Sequence, residues 1–423
     1  MKTVIKNIDE IIQVEKTVKQ RVSGKEMANL STIKNGFIEI SNGRISNFGS
    51  MDEWKGIEDW NNTEIIDANG GMVFPSYCDS HTHLVFAANR ENEWVDRIKG
   101  ATYEEIAKNG GGILNSATRL QSTSEEELLK SALKRANSIL KMGTGAVEIK
   151  SGYGLSFESE LKMLRIIKQL KEISPLTIKS TFLGAHAIPA EYKNSKSKYL
   201  DLVINEMLPA IHEEKLADFV DIFCEEGYYT VEDTERLLQT AKQYNLVPKT
   251  HVNQFNILGG VRKSVEHGAL SVDHLEIMND DDIEALKDSQ CMPTFLPACS
   301  FFLGIPYGPA RQLIDQGLPI ALASDYNPGS SPCGNMNFIA SLACIKMGLT
   351  PEEAINATTI NSAYAMGVSD ELGSIAIGKK ANLLITKPIS SYAFIPYSFG
   401  QLHIEKIIIN GKIQPLYNEE TTY

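Results

Sequence analysis

No apolar run in this chain approaches the roughly 18 residues that a membrane-spanning helix needs, and Met1-Lys2-Thr3 leads into the polar Lys6–Glu10 with no signal-peptide core. Basic residues are in deficit: 41 Lys and Arg stand against 53 Asp and Glu, a formal charge of −12, which argues against nucleic acid or an anionic membrane surface as the main partner. Cysteine is scarce, with only Cys78, Cys224, Cys291, Cys299, Cys333 and Cys344, and no CxxC pair occurs. In a chain this long they read as reduced core thiols, neither a disulfide framework nor a zinc knuckle. A phosphate loop is missing too: no Gly-Lys-Ser/Thr follows Gly110-Gly111-Gly112, which reads as a flexible loop or a plain turn, while Gly259-Gly260 suits a helix start. What remains is an ordinary globular balance, 43% apolar and 22% charged residues over 423 positions. That balance predicts a cytoplasmic protein of more than one domain, whose core needs no covalent staples.

The two ends of the chain resemble each other. Alternating apolar residues flank Asn42-Gly43 (Gly36–Ile40 and Arg44–Phe48), and Ile407–Ile409 and Lys412-Ile413 flank Asn410-Gly411, the strongest short-range hairpin signal. Ala381–Thr386 adds a strand-like run. Neither end can cover a sheet alone, so a small β-sandwich domain built from both termini is expected, residues 1–75 with 370–423.

Between them, residues 76–369 alternate short apolar runs with helical patterns. The expected strands are Gly71–Phe74, Ala146–Lys150, Thr177–Leu183, Phe219–Cys224, Val247–His251, Ala269–Asp273, Cys291–Leu296 and Pro319–Ala323. The clearest helix is Glu160–Ile173, with Leu161, Leu164, Ile167 and Leu170 on one face. Eight strands with helices between them predict an α/β fold, a (β/α)8 TIM-like barrel.

Five of the eight histidines fall at C-terminal ends of these strands: His81 and His83 after the first, His186 after the third, His251 ending the fifth and His274 after the sixth, with Asp325 after the eighth. In such a barrel these positions converge on one mouth, where active sites form. Two histidines at i and i+2 on extended backbone point the same way and can reach one ion. His81, His83, His251 and Asp325 therefore predict a metal site with room for a water molecule, as hydrolysis requires. His212, His267 and His403 lie in helix-like or terminal β contexts and read as structural.

The segments Asp79-Ser80-His81-Thr82-His83-Leu84-Val85-Phe86, Asn89-Arg90, Gly100–Ile106, Gly110–Ile113, Glu148-Ile149-Lys150-Ser151-Gly152-Tyr153-Gly154, Phe182–His186, Asp273–Glu276 and Ser324-Asp325-Tyr326-Asn327-Pro328-Gly329-Ser330 resemble the amidohydrolase superfamily and, within it, the imidazolonepropionase family. The HxH pair and the late Asp are similar to the whole superfamily; the Lys-Ser-Gly-Tyr-Gly and Asp-x-Asn-Pro-Gly segments resemble the narrower family. The resemblance implies one Zn2+ or Fe3+ per subunit, held by His81, His83, His251 and Asp325. It implies contacts to substrate or product from Arg90, Tyr153, His186, Gln254, Asn327, Gly329 and Ser330. The implied reaction is hydrolysis of the cyclic amide of 4-imidazolone-5-propanoate to N-formimidoyl-L-glutamate, a step of histidine degradation, in a homodimer whose partner is this small molecule.

Residue chemistry fits that role. Arg90 suits a bidentate clamp for the propionate. Asp325 can ligate an ion and accept a proton, and His274 can bond a developing oxyanion or relay a proton, so both are candidate catalytic groups. Two features set the chain apart from other superfamily members. Two-metal relatives use a modified lysine on the fourth strand; here Lys150 ends the second, which predicts a single metal. Ring deaminases carry a glutamate three residues after the fifth-strand histidine; Gln254 stands there, and its amide cannot exchange protons near pH 7. A deaminase or amidohydrolase of another nitrogen heterocycle, and a non-catalytic scaffold, are the alternatives that residues alone leave open.

Overall fold

The computed structural model describes residues 2–101, 105 and 111–415. Five strands open the chain: β1 (Lys2–Ile12), β2 (Thr32–Ser41), β3 (Arg44–Ser50), β4 (Thr63–Asp67) and β5 (Val73–Pro75). Eight more, interleaved with helices, make the central sheet: β6 (Tyr77–Thr82), β7 (Thr144–Lys150), β8 (Thr177–Ala185), β9 (Phe219–Cys224), β10 (Val247–Val252), β11 (Ser271–His274), β12 (Met292–Phe295) and β13 (Ala321–Leu322). The chain then returns to the first sheet through β14 (Leu383–Thr386), β15 (Ile404–Ile409) and β16 (Lys412–Gln414).

The terminal strands form one mixed sheet in the order β16-β15-β14-β5-β1-β2-β3, with β4 also against β1. Both Asn-Gly turns are where the apolar alternation put them. Ser41 pairs with Arg44 and Ile409 with Lys412, and φ is positive at Asn42, Gly43, Asn410 and Gly411 (50° to 78°). Two consecutive left-handed residues match the twist of a tight hairpin. The two turns, almost 370 residues apart in sequence, abut: a Cβ on Gly43 would lie 2.7 Å from the Asn410 carbonyl oxygen. Beneath them Ile5, Ile8, Ile38, Ile40, Ile385 and Ile408 share one buried cluster.

The central strands run parallel in chain order from β6 to β13. They are buried on both faces almost throughout, yet β6, β7, β9, β10 and β11 each carry buried charged or polar side chains among the apolar ones. The helix Phe157–Ile173 is capped by Ser156, whose side chain accepts from the Ser159 N–H, and it buries Leu161, Leu164, Ile167 and Leu170 against the barrel. One expected strand is corrected. The Gly71–Phe74 run does not begin the barrel; Val73–Pro75 pairs with β14 and β1 in the terminal sheet, and the first barrel strand is Tyr77–Thr82. A short apolar run carries no label of the sheet it joins, and Asp79, Ser80 and His81 made the true strand look polar.

β13 contributes only two residues, so side chains and loop backbone complete the closure. The Asp325 N–H donates to the His81 carbonyl at 3.0 Å, and the His83 N–H to that of Tyr326 at 2.9 Å. Asp79, buried on β6, accepts from the Ser324 N–H (3.0 Å) and hydroxyl (2.5 Å). The first and last strands are thus tied at the level where the HxH pair and Asp325 stand. All six cysteines are free. Among the described residues no helix is long and apolar enough to cross a membrane.

Candidate active site

The histidines converge. Ring centroids lie 4.4 Å apart for His81 and His251, 5.2 Å for His251 and His274, and 5.4 Å for His81 and His83. Ligand atoms of His81, His83 and Asp325 lie within 4.8 Å of one another, and so do those of His81, His251 and His274. His81 belongs to both triads, and the Asp325 Oδ1 is 3.6 Å from its Nε2 and 3.5 Å from the His83 Nε2.

Whether this set suits a cation can be read from its orphaned atoms. The His81 Nδ1 meets Asp273 at 2.7 Å, and the His251 Nδ1 meets Asp221 at 2.9 Å. A carboxylate only accepts, so both rings carry their proton on Nδ1 and present a lone pair at Nε2. Those two Nε2 atoms are buried without a partner. Burial, reinforced by neighbouring cationic groups, holds His81 and His83 well below the usual histidine range, and burial also lowers His251 against the pull of Asp221. Neutral imidazoles with unshared lone pairs beside a carboxylate are the donor set that a zinc or iron ion takes. The histidine and aspartate groups here therefore suit a metal ion, with His81 common to the group that holds His83 and Asp325 and to the one that holds His251 and His274.

Asp325 and His274 are both shifted upward, for different reasons. Burial pushes the Asp325 carboxyl up to about 6, against the opposing pull of His274, Asn327 and Cys299. Burial alone would lower His274, but Glu276, 3.2 Å from its Nδ1, together with Asp325 and Asp273, outweighs it and holds the ring above the usual value. The backbone is strained at both: φ is 90° at His274, 61° at Leu275 and 52° at Asp325. Non-glycine residues rarely occupy this region, and it here turns each side chain at a strand end.

Above the cluster opens a cavity of about 590 Å³ lined by Arg90, Tyr153, His186, Gln254, Asn327, Gly329 and Ser330, all seven residues expected to contact substrate. Tyr153 and His186 join cavity to cluster, their rings 5.6 Å and 5.3 Å from that of His83. The His186 Nδ1–H donates to the Gly152 carbonyl at 3.1 Å, and burial drops its pKa to about 3, so its Nε2 is a hydrogen-bond acceptor. Burial raises the Tyr153 hydroxyl, which stays protonated. Arg90 is fixed by Glu93, whose Oε2 accepts from Nε and from Nη2 at 2.8 Å each. Asn327 shapes its own turn, accepting from the Gly329 and Ser330 N–H groups at 2.8 Å each.

Several contributors were not singled out from sequence. Asp221 and Asp273 orient two histidines. Glu160 is buried and accepts from the N–H groups of Gly152 (3.0 Å), Gly154 (2.7 Å) and Leu155 (3.0 Å), shaping the loop that carries Tyr153. Cys299 sits in the site as well as in the core: the Gln254 amide donates to its sulfur at 3.5 Å, and burial raises the thiol well above its usual value, which favours the protonated form. A charge inside an apolar strand, as in Phe219–Cys224, is the signal that marks Asp221; Glu160, on a helix, leaves none. The Gly100–Ile106 segment and Gly110 lie partly or wholly outside the described residues, while Gly259 caps the helix Gly260–Glu266 as expected.

Comparison with known proteins bears on this geometry. The model of the amidohydrolase family matches residues 72–414. The imidazolonepropionase of Flavobacterium johnsoniae is 59% identical over 413 residues, 98% of this chain and 100% of that one. The imidazolonepropionase of Christiangramia forsetii is 58% identical over the same shares. Among solved structures, a triazine hydrolase variant covers 97% of this chain and 94% of its own with a TM-score of 0.72, at 14% identity, a likeness of fold.

Proposed function

The chain belongs to the amidohydrolase family and within it to the imidazolonepropionases, and from that premise we propose how its residues divide the reaction, hydrolysis of the cyclic amide C–N bond of 4-imidazolone-5-propanoate to N-formimidoyl-L-glutamate. The observation that carries the reading is the convergence of all seven expected substrate residues on one cavity, two of which, Tyr153 and His186, lie against His83 of the histidine cluster.

His81, His83, His251 and Asp325 hold one ion, Zn2+ or Fe3+, the choice following availability as much as ligand type. When bound, such an ion supplies Lewis acidity, bringing the pKa of a water molecule toward neutrality and polarising the ring carbonyl. Asp325, as a carboxylate beside the ion, accepts the proton of the attacking water. His274 keeps its proton through Glu276 and donates to the oxygen that gains charge, then to the departing ring nitrogen. Two groups with oppositely suited protonation states assign base and acid. Arg90 clamps the propionate, oriented by Glu93, and Tyr153 adds a hydroxyl donor. His186 accepts from a ring N–H, and Gln254, unable to exchange protons, orients the ring, which disfavours a deaminase. Asn327, Gly329 and Ser330 form the wall that keeps the ring against the floor. The protein works as a cytoplasmic homodimer on this small molecule, symmetric dimers being the commonest assembly of soluble enzymes.

The test is loss of imidazolone ultraviolet absorbance with metal-loaded protein, alongside metal analysis and the mass of the assembly. Turnover that tracks metal content is expected. Folded, metal-loaded protein that leaves the absorbance unchanged refutes the assignment.

A further inference from the structure

Five buried charges lie under the histidine cluster, and the reaction uses none of them directly: Glu148 and Lys150 on β7, Asp221 on β9, Lys249 on β10 and Asp273 on β11, each 0% exposed. The two lysines differ in what they touch. The Lys150 Nζ lies 2.8 Å from the Asp221 Oδ2, 3.5 Å from the Asp273 Oδ2 and 2.7 Å from the Glu148 Oε1. Those two Oδ2 atoms are the ones that accept from the histidines, Asp221 from His251 and Asp273 from His81. Lys249 also pairs with Glu148, through Oε2, but its other partners are the carbonyls of Ser80 (3.1 Å) and Ala365 (3.2 Å). It reaches neither aspartate by a hydrogen bond or ion pair within 4 Å.

We propose that Lys150 is a positioning residue for the metal site: its ammonium holds Asp221 and Asp273 against the Nδ1 atoms of His251 and His81, so that both Nε2 lone pairs face the ion. The inference rests on the metal reading above. One cation joins two carboxylates from different strands, and those carboxylates fix the tautomer and orientation of two ligands on two further strands, β10 and β6. Without the Lys150 ammonium, Lys249 still pairs with Glu148, but no cation lies between Asp221 and Asp273. Their mutual repulsion in a low-dielectric interior drives them off the imidazoles. An imidazole released from its carboxylate rotates freely and puts its proton on either nitrogen, and an Nε2–H cannot ligate.

The experiment compares Lys150→Met with Lys249→Met. Each removes one buried ammonium next to Glu148, so both are expected to lower the melting temperature of the metal-free protein. Metal dissociation constants are then measured by competition with a chelator of known zinc affinity, on protein shown to be folded by circular dichroism. Wild type takes one equivalent, Lys150→Met binds about tenfold more weakly or worse, and Lys249→Met stays within about threefold of wild type. Should Lys150→Met not fold, Lys150→Gln, whose uncharged amide has only two N–H donors and cannot hold all three carboxylates, is judged by the same criterion. Equal affinity in the Lys150 variant and wild type overturns the proposal, as does an equal loss in the Lys150 and Lys249 variants, which would make the network structural only. Wild type that takes up no zinc overturns the metal reading itself, a separate and visible failure.

Discussion

A single methyl group tests the carboxylate clamp. A Cβ built on Gly329 would lie 2.1 Å from the Arg90 Nη1 and 2.7 Å from its Cζ. Ordinary contact needs about 3.4 Å, so the guanidinium must retreat by about 1 Å in a Gly329→Ala variant. It can do so, being the far end of a flexible side chain, but it is held at 2.8 Å to Glu93 through Nε and again through Nη2. Each bond to a charged group contributes about 1.5–3 kcal/mol, and the retreat spoils at least one. Arg90→Ala removes the clamp altogether and is expected to cost about 2–4 kcal/mol of transition-state binding, roughly 30- to 700-fold in kcat/KM. Gly329→Ala misplaces the clamp and should cost about 1.5 kcal/mol, roughly tenfold, with little change in melting temperature. The discriminating protein is the double variant. With no guanidinium to meet, the added methyl should change kcat/KM by less than about 0.5 kcal/mol relative to Arg90→Ala alone. Four proteins in one ring-opening assay decide it. A tenfold loss in both backgrounds would mean that Gly329 acts on something other than Arg90, and full activity in Gly329→Ala would mean that the guanidinium position does not govern catalysis.

Metal affinity should depend on acidity through Asp325: its carboxyl, pushed up to about 6 by burial, is protonated below that pH, and an ion needs it ionised. Affinity should therefore fall with decreasing pH below about 6, approaching tenfold per unit, and owe nothing further to this group above it; chelator competition from pH 5 to 8 checks this, and a flat profile contradicts it. Glu160→Ala leaves the buried N–H groups of Gly152, Gly154 and Leu155 without their acceptor, a loss of about 3 kcal/mol that thermal melting reads, with a fall in kcat/KM because Tyr153 rides on that loop; an unchanged melting temperature refutes it. Gly43→Ala forces a side chain into φ 78° and against the Asn410 carbonyl, so about 1–3 kcal/mol of stability should go while kcat of the remaining folded protein holds; a change in kcat would show that the terminal sheet reaches the site.

What could be read from sequence follows a physical divide. The hairpins were legible because only a few residues tolerate two successive left-handed positions, and Asn42-Gly43 and Asn410-Gly411 are such residues. The convergence of His81, His83, His251, His274 and Asp325 was legible because a parallel barrel sends every strand end to one mouth, whatever the exact strand limits. The first barrel strand was misread for the converse reason: Val73–Pro75 and Tyr77–Thr82 are separated by one residue, and periodicity cannot say which of two adjacent runs turns into which sheet. Glu160 was hidden deeper. On the helix Phe157–Ile173 it occupies a position indistinguishable from a solvated one, and only the fold brings three backbone donors to it.

The charges under the site show where function overrode stability. Five ionisable groups at 0% exposure make an expensive barrel floor, since well-packed hydrophobic residues at such positions are often as stabilising or more so. The same interior elsewhere obeys the cheaper rule, as Leu161, Leu164, Ile167 and Leu170 do one layer out. A sequence normally departs from consistent burial where chemistry demands it. Here the departure has a direction: Asp221 and Asp273 each spend one oxygen on a histidine, and Lys150 touches that same oxygen on both. Stability alone would accept any arrangement that neutralised the carboxylates. Only an arrangement selected to fix two imidazole tautomers has reason to place a single ammonium on both of the oxygens that set them.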